Sequence, residues 1–257
     1  MNTPLFSASH LKKSFGGIAA VDDVSLSIQA GQVIGLIGPN GAGKTTCFNL
    51  ITGLYTPDAG QLSFQGKTYK PDSPHEVAKM GLARTFQNIR LFKSMTALEN
   101  VAVGMHSKTR QGVLGAILRT PAQRREEQGV WQQAMHWLNY VGIGAYSQHL
   151  AGQLSYGDQR RLEIARALAS QPALLALDEP AAGMNATEKL KLRELLLQIR
   201  RDGKSILLIE HDVKLVMGIC DEVTVLDYGK VIAQGTPVQV QQNPAVIEAY
   251  LGGLHHG

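Results

Sequence analysis

The sequence contains little cysteine and no strong excess of charge. Its two cysteines, Cys47 and Cys220, form no Cys-x-x-Cys pair, which excludes a disulfide framework and a cysteine zinc site and indicates a reducing compartment. The formal charge of +4 comes from 25 Lys and Arg against 21 Asp and Glu, and the basic doublets are scattered. We therefore expect no nucleic-acid partner. A disordered chain is also excluded, because 44% of the 257 residues are hydrophobic.

Long hydrophobic runs are absent from the sequence as well. The longest, 113–118 and 173–177, are far shorter than the ~18 residues that a membrane-spanning helix needs. The N-terminus lacks the apolar core of a secretory signal. We expect an intracellular chain that reaches a membrane only through another subunit.

Hydrophobic periodicity predicts a mixed α/β fold. An apolar run at 33–37 predicts a buried strand, and a glycine-rich turn leads from it to a predicted helix at 45–54. Period-two alternation at 21–28 and 61–64 predicts flanking antiparallel strands. Between about residue 88 and residue 160 the pattern turns helical, which indicates an inserted helical lobe.

The second half of the chain alternates strands with helices. Strands are predicted at 173–177, 205–209 and 222–226, with a helix at 187–201 between the first two. Such alternation implies crossover connections and a mainly parallel sheet. A hairpin turn at 227–230 and a short helix at 245–251 complete the prediction.

The glycine-rich turn carries the first chemical signal. Residues Gly38 to Thr45 match GxxxxGK[ST] between a strand and a helix, the context that phosphate binding requires. Backbone amides and the helix N-terminus would surround the phosphates, Lys44 would neutralise the β and γ oxygens, and Thr45 could hold Mg²⁺. An ordinary turn and a dinucleotide site are the alternatives, but no GxGxxG follows. The predicted ATP-binding residues here are Gly38, Pro39, Asn40, Gly41, Ala42, Gly43, Lys44, Thr45 and Thr46.

Two carboxylates follow the apolar strand at 173–177. Asp178 lies at the carboxyl edge of the predicted sheet, where it would support nucleotide-bound Mg²⁺. Glu179 would face the γ-phosphate and orient or activate the attacking water. The alternative is an Asp-Glu pair that merely caps the turn before Pro180, and the lysine loop argues against it.

A third segment resembles a known family. The run Leu154-Ser-Tyr-Gly-Asp-Gln precedes an apolar helix at 160–169 and is similar to LSGGQ, the signature loop of the ATP-binding subunits of ABC transporters. A serine and backbone amides at a helix start suit a second phosphate-binding surface, although a plain helix cap would have the same residues. The signature residues assigned by this resemblance are Leu154, Ser155, Tyr156, Gly157 and Asp158.

The resemblance implies a fold and further site residues. The fold is a P-loop ATPase core with a mainly parallel sheet, an antiparallel N-terminal β subdomain and an inserted helical lobe. Gln87 resembles the glutamine that contacts Mg²⁺ or water and senses the γ-phosphate, and His211 resembles the switch histidine. Phe15 resembles the aromatic that stacks on adenine, with a core side chain as the alternative. The implied catalytic residues are Glu179, His211 and Gln87, and the implied Mg²⁺ residues are Thr45, Gln87 and Asp178.

Three positions depart from the family pattern. Tyr156 stands where the signature has glycine, and Asp158 where it has glutamine. A carboxylate at 158 must face away from a triphosphate, so Ser155 and Gly157 carry the assignment. Asn185 stands where the family commonly has aspartate, in a loop implied to contact a second subunit.

The resemblance also implies a division of the chain. The whole of 1–257 is one ATPase domain, with a nucleotide-binding core at 1–87 and 162–240. The helical lobe spans 88–161, and a C-terminal helix and tail span 241–257. Residues 88–95 are a candidate for contact with membrane helices, or alternatively a segment packed within the lobe.

Within the family, the runs 83–101 and 245–252 resemble the larger ATPase subunit of bacterial branched-chain amino-acid importers. ATP and Mg²⁺ are then the implied cofactors, and the location is the cytoplasmic face of the membrane. The implied partners are permease subunits, a second identical or paralogous ATPase subunit and, indirectly, a periplasmic binding protein. A lipopolysaccharide-exporter ATPase, a soluble ABC ATPase and a small-molecule P-loop kinase remain as alternatives.

Overall fold

A computed structural model describes residues 3–71, 73–105 and 121–252, with the side chains of 121–127 and of 251–252 left out. The chain divides into two compact units. The first comprises residues 1–84, 173–182 and 189–257, and the second comprises 85–172 and 183–188. The described part of the chain has no helix that combines the length and the apolar character needed to cross a membrane.

The first unit contains two sheets. Its strands are β1 (Phe6–Phe15), β2 (Ile18–Ile28), β3 (Val33–Ile37), β4 (Ala59–Phe64), β5 (Lys67–Tyr69), β6 (Leu82–Arg84), β7 (Leu174–Asp178), β8 (Ser205–Ile209), β9 (Glu222–Asp227) and β10 (Lys230–Gly235). A four-stranded antiparallel sheet has the order β2-β1-β4-β5. A six-stranded sheet has the order β10-β9-β3-β8-β7-β6, and all its pairs are parallel except β10 with β9.

Helices lie along the chain between these strands and in the second unit. They are α1 (Lys44–Ile51), α2 (Pro74–Lys79), α3 (Ala97–Gly104), α4 (Pro121–Tyr140), α5 (Tyr156–Ala169), α6 (Ala186–Arg201), α7 (Val213–Ile219), α8 (Pro237–Gln241) and α9 (Pro244–Gly252). Two short 3-10 turns, Gly144–Tyr146 and Ala151–Gln153, precede α5.

The core of the first unit forms around α1. Strands β3, β7 and β8 are buried at every position, as expected for parallel strands covered on both faces. Side chains of α1, including Phe48 and Ile51, join one apolar cluster with residues of both sheets. This packing fixes the turn between β3 and α1, and that turn is the glycine-rich loop.

The second unit is a helical body in which α3, α4 and α5 pack together. Its buried apolar side chains include Val101, Leu138 and Leu162. The start of α3 is fixed by a capping box in which Thr96 and Glu99 exchange hydrogen bonds.

The predicted fold class is confirmed: a mainly parallel sheet, an antiparallel sheet and a helical unit are all present. Helix bounds differ by a few residues, since α1 begins at Lys44 and α5 at Tyr156. The second unit runs to Pro172, after α5, whereas the sequence-based division placed the end of the lobe inside this helix at 161. Strands β1 and β6 were not predicted, and the apolar run 113–118 lies outside the described residues.

Candidate nucleotide-binding site

The loop between β3 and α1 depends on glycine at two positions. Gly38 and Gly43 have φ angles of 151° and 96°, a region that other residues seldom adopt. A Cβ at Gly43 would lie 2.2 Å from the Ala20 carbonyl oxygen, and one at Gly38 would lie 2.1 Å from that of Leu226. Helix α1 has no side-chain cap and no acidic residue in its first turn. Its N-terminal amides therefore suit an anion.

Lys44 is held by the loop that it follows. Its side chain is buried, and Nζ donates hydrogen bonds of 2.7 Å to the carbonyl oxygens of Gly38 and of Pro39. Burial lowers the pKa of the ammonium group, while the negative charge of Glu179 acts in the opposite direction. Both hydrogen bonds of the ammonium group go to neutral carbonyl oxygens, and phosphate oxygens would bring full negative charge to it.

Glu179 occupies a strained backbone position at the end of β7. Its φ of 46° lies in the left-handed region, which is costly for a residue with a side chain. The Glu179 amide donates to Ile209 of β8 at 2.9 Å, and its carbonyl accepts from Ala182 at 3.1 Å. His211 Nε2 lies 2.5 Å from Glu179 Oε1. The two predicted catalytic side chains are thus paired although 32 positions separate them.

Glu210, between β8 and His211, was missed by the sequence analysis. Only 3% of this residue is exposed, and burial raises the pKa of its carboxyl group. It accepts from the Ala181 amide at 2.6 Å and from the His211 amide at 3.1 Å. Glu210 therefore ties the segment after Glu179 to the segment that carries His211. A buried acid directly after an apolar strand was the available signal.

A cavity of about 230 Å³ connects these parts of the first unit. Its lining consists of Ala20, Asn40, Gly41, Ala42, Gly43, Lys44, Thr45, Thr46, Glu179 and His211. The lysine loop and the Glu179–His211 pair thus face one space. A bound anion in this cavity would meet backbone amides, a lysine and the Glu179–His211 pair.

Hard oxygen donors are available for a divalent cation. Thr45 is exposed at the start of α1, and Asp178 is buried as the last residue of β7. Hydroxyl and carboxylate oxygens are the donor types that Mg²⁺ prefers. The residues therefore fit the implied ion, which this chain would hold together with nucleotide phosphates.

Phe15 lies at the end of β1 with 45% of its surface exposed, which places it outside the core. Its ring packs edge-on against Tyr55 at a centroid distance of 5.3 Å. Lys13 Nζ lies 5.5 Å from the ring centroid. A ring that is nearly half exposed can stack against a planar group.

The signature residues lie in the second unit, at the start of α5. Ser155 is the N-cap, and its hydroxyl accepts from the Asp158 amide at 3.2 Å. Asp158 forms an ion pair with Arg161 and accepts from the Ser155 hydroxyl at 2.8 Å. The negative charge of Asp158 is thus balanced within the helix. A phosphate-binding surface at the start of α5 would require this. Ser155 caps the helix, which is the alternative that the sequence analysis left open, and its contact with a phosphate stays a prediction.

Gln87 also belongs to the second unit. Its carbonyl oxygen accepts from Arg160 Nη2 at 2.8 Å, and the Phe86 carbonyl accepts from Nη1 at 2.6 Å. Arg160 and Glu163 form a fully buried ion pair at 2.8 Å. The backbone around Gln87 is therefore fastened to the helix that Ser155 caps.

Known proteins are similar to this chain in sequence and in fold. A family model described as ABC transporter matches residues 21–182. A second, described as branched-chain amino acid ATP-binding cassette transporter, matches residues 230–256. The high-affinity branched-chain amino acid transport ATP-binding protein BraF of Pseudomonas aeruginosa is 46% identical, over 98% of this chain and 99% of its own.

Two solved structures are similar as well. The ADP conformation of an ATP-binding cassette of an ABC transporter has a TM-score of 0.85 and 32% identity, covering 98% of this chain and 100% of its own. A dimeric ATP-binding cassette in a post-hydrolysis state with ADP and Pi has a TM-score of 0.76 and 25% identity, covering 90% and 98%.

The family prediction is therefore confirmed. Since the first family model spans more than half of the sequence and a relative matches nearly all of it, this chain belongs to the ABC transporter family.

Proposed function

We propose that this chain is the ATP-hydrolysing subunit of an ABC transporter that imports branched-chain amino acids. The observation that carries the ATPase assignment is the shared cavity of the lysine loop, Glu179 and His211. The cargo assignment is supported by the match of residues 230–256 to the branched-chain model and by the likeness to BraF. No side chain of this subunit needs to contact the amino acid, since a permease and a binding protein would select it.

The chain's own residues would divide the work of hydrolysis. Lys44 and the backbone amides of 40–46 bind the β and γ phosphates, and Phe15 stacks on adenine. Glu179 orients a water for in-line attack on the γ-phosphorus and accepts its proton, while His211 fixes the carboxylate and contacts the γ-phosphate. Thr45, Asp178 and Gln87 would hold Mg²⁺, which neutralises phosphate charge when bound.

A second cassette would complete the site. Ser155 and Gly157 of one subunit would close over the ATP held by Lys44 and Thr45 of the other, as in the family that this chain resembles. The pairing of two cassettes is supported by a structural relative that is a dimeric cassette in a post-hydrolysis state; the head-to-tail arrangement is part of the proposal. The second subunit is either another copy or a paralogue. Loss of the γ-phosphate would then release the pair and drive permease helices.

Residues 88–95 are proposed as the contact for those helices. Asn100 is buried and fixes the Phe92 backbone, accepting from its amide at 2.9 Å and donating to its carbonyl at 3.0 Å. The Phe92 ring nevertheless keeps 49% of its surface exposed. A rigid backbone that presents an apolar ring to solvent is typical of a docking surface.

Capture from membranes tests this function. The tagged chain, purified from detergent-solubilised membranes, should copurify with a permease. Vesicles reconstituted with this complex should take up leucine, isoleucine or valine when ATP is present. Phe92→Asp should reduce capture, and Val238→Asp, at an exposed position of α8, should not. Recovery of a lipopolysaccharide-exporter permease would overturn the cargo, and recovery of no membrane subunit would overturn the transport role.

A further inference from the structure

Tyr156 stands where the family signature has glycine, and its ring contacts a distant segment of the same unit. A Cβ at Gly183 would lie 3.2 Å from Tyr156 Cε1 and 3.4 Å from Cζ, so the ring covers the Gly183 backbone. Gly183 also has a φ of 75°, which glycine adopts without strain. The phenol ring and the glycine therefore form a matched contact.

A second contact lies beside the first. A Cβ at Gly157 would lie 2.6 Å from Glu188 Oε1, so the start of α5 approaches the start of α6 closely. Glu188 and Asn185 exchange hydrogen bonds: the Glu188 amide donates to Asn185 Oδ1 at 2.9 Å, and the Asn185 amide donates to Glu188 Oε2 at 3.0 Å. The segment 183–188 is thereby folded on itself and packed on residues 156–157.

Arg160 extends the link to the segment that carries Gln87. Its guanidinium carbon lies 6.0 Å from the centroid of the Tyr156 ring, and Nη2 lies 3.4 Å from the Tyr156 hydroxyl oxygen. The same guanidinium donates to the carbonyl oxygens of Phe86 and of Gln87. The Arg160 side chain thus contacts both the Tyr156 side chain and the Gln87 backbone.

We propose that Tyr156 is a positioning residue that joins the signature loop to the segment 183–188 so that both present one rigid surface to the nucleotide-bearing partner subunit. This inference rests on the proposed function, because it assumes that a second cassette supplies the nucleotide. Tyr156 would act on the nucleotide that the partner subunit holds and not on the one that its own chain binds. Its loss should therefore lower turnover without weakening the binding of ATP to the isolated chain.

Two variants test the link. Tyr156→Ala removes the ring, and Tyr156→Phe keeps it and is the matched control. Because 42% of Tyr156 is exposed, truncation opens no enclosed cavity, and thermal unfolding should confirm that both variants fold. Amide hydrogen exchange over 183–188 in the full chain should accelerate in Tyr156→Ala and stay at the wild-type rate in Tyr156→Phe.

The kinetic readout uses the transporter complex. Tyr156→Ala should lower the kcat of ATP hydrolysis by about tenfold or more, since a misplacement of about 1 Å can cost ~10²-fold. The affinity of the isolated chain for ATP should change less than about twofold, and Tyr156→Phe, which keeps the ring and loses only the hydroxyl, should lower kcat much less than Tyr156→Ala.

Each failure has a separate meaning. Wild-type exchange over 183–188 in Tyr156→Ala would overturn the mechanical link, and faster exchange with an unchanged kcat would overturn its role in hydrolysis. If the wild-type complex itself hydrolyses no ATP, the proposed function fails, and the exchange experiment alone decides whether Tyr156 holds the segment.

Discussion

The ammonium of Lys44 is solvated by two carbonyl groups of its own loop, and burial lowers its pKa. Both facts favour a partner that carries a full negative charge. A triphosphate would take over the contacts that Gly38 and Pro39 now supply. Binding of nucleotide and release of these carbonyls should therefore be one event.

Replacement of Lys44 by alanine tests this role. Lys44→Ala should raise the dissociation constant for ATP by about 10-fold to 150-fold, because a hydrogen bond to a charged group contributes ~1.5–3 kcal/mol. Isothermal titration calorimetry measures the change, with Lys12→Ala, at the exposed end of a surface ion pair, as the control. An ATP affinity equal to wild type would remove Lys44 from the phosphate site.

Replacement of Glu179 by glutamine separates binding from chemistry. Glu179→Gln keeps the size of the side chain but cannot accept a proton from water, so kcat should fall by about 10²-fold to 10⁴-fold while ATP still binds. Phosphate release measures turnover, and Glu194→Gln on the exposed face of α6 should be unaffected. Normal turnover in Glu179→Gln would move the general base to another residue.

The candidate functional residues in short motifs could be predicted from the sequence, whereas the residues that hold them in place could not. Lys44, Glu179 and His211 follow apolar strands or a glycine run, and the structure brings them to one cavity. Glu210 was missed because the Ala181 amide that it binds lies 29 positions away. Only the parallel pairing of β7 with β8 places these two segments side by side.

At the scale of elements, α5 organises the second unit. Ser155 caps its start, and the fully buried pair of Arg160 and Glu163 lies one to two turns further along. Glu163 also accepts from the amides of Phe86 and Arg90 at 3.3 and 3.4 Å. One ion pair thus satisfies several backbone groups of the segment 86–90.

Arg160→Ala should destabilise the protein by about 3–5 kcal/mol, because it leaves the Glu163 charge buried without its partner. Arg201→Ala, at an exposed position, should cost less than about 0.5 kcal/mol. Urea unfolding monitored by circular dichroism measures both. A cost for Arg160→Ala as small as that of Arg201→Ala would mean that the ion pair does not hold this unit together.

The stability of Arg160→Ala should also depend on pH. Burial raises the pKa of the Glu163 carboxyl group above its ordinary value of 4.5, and loss of Arg160 should raise it further. Folding then favours the protonated acid. The loss in the free energy of unfolding of Arg160→Ala relative to wild type should therefore be smallest near the ordinary pKa of Glu163, and it should grow as the pH rises through the raised pKa. The free energy of unfolding of wild type and of Arg160→Ala is measured at pH 5 and at pH 8. An equal difference between the two proteins at both pH values would contradict a raised pKa of Glu163.

Element types followed from periodicity, but their exact starts did not. The sequence predicted a helix from residue 160, whereas α5 begins at Tyr156 because Ser155 and Asp158 cap its first turn. Strand β6 has three residues, too few to display a period. It exists because Leu82–Arg84 pair with β7, a contact that no local pattern specifies.

At the scale of the whole molecule, both cysteines lie in the first unit and are buried. Burial raises the pKa of each thiol from 9.0 to about 12. A shift of three pKa units leaves about 10³-fold less thiolate at a given pH, and thiolate is the reactive form.

Native protein at pH 8 should therefore react with a thiol reagent more slowly than urea-unfolded protein by about 10³-fold. Absorbance of the released thiolate reports both rates, and a free cysteine peptide is the control. Rapid reaction of two thiols in the native chain would contradict the burial of Cys47 and Cys220 in this fold.

The fold class and the family could be predicted from the sequence because the lysine loop, the signature run and the alternation of strands with helices along the chain are all local patterns. The predicted roles of all the site residues, Lys44 and Glu179 as much as Gln87, Phe15 and the signature residues, stay predictions. They concern nucleotide, metal and a second chain, and a single cassette determines none of those positions. The central claim is that ATP is shared between two cassettes.

Sedimentation velocity of Glu179→Gln with ATP, alone and mixed with any second ATPase subunit that copurifies, tests this claim most directly. We expect a monomer without nucleotide and a stable pair of cassettes with ATP, and Ser155→Arg in the same background should bind ATP yet abolish the pair. ATP-saturated Glu179→Gln that sediments as a monomer in every mixture, while the wild-type chain hydrolyses ATP at a rate independent of dilution, would contradict it.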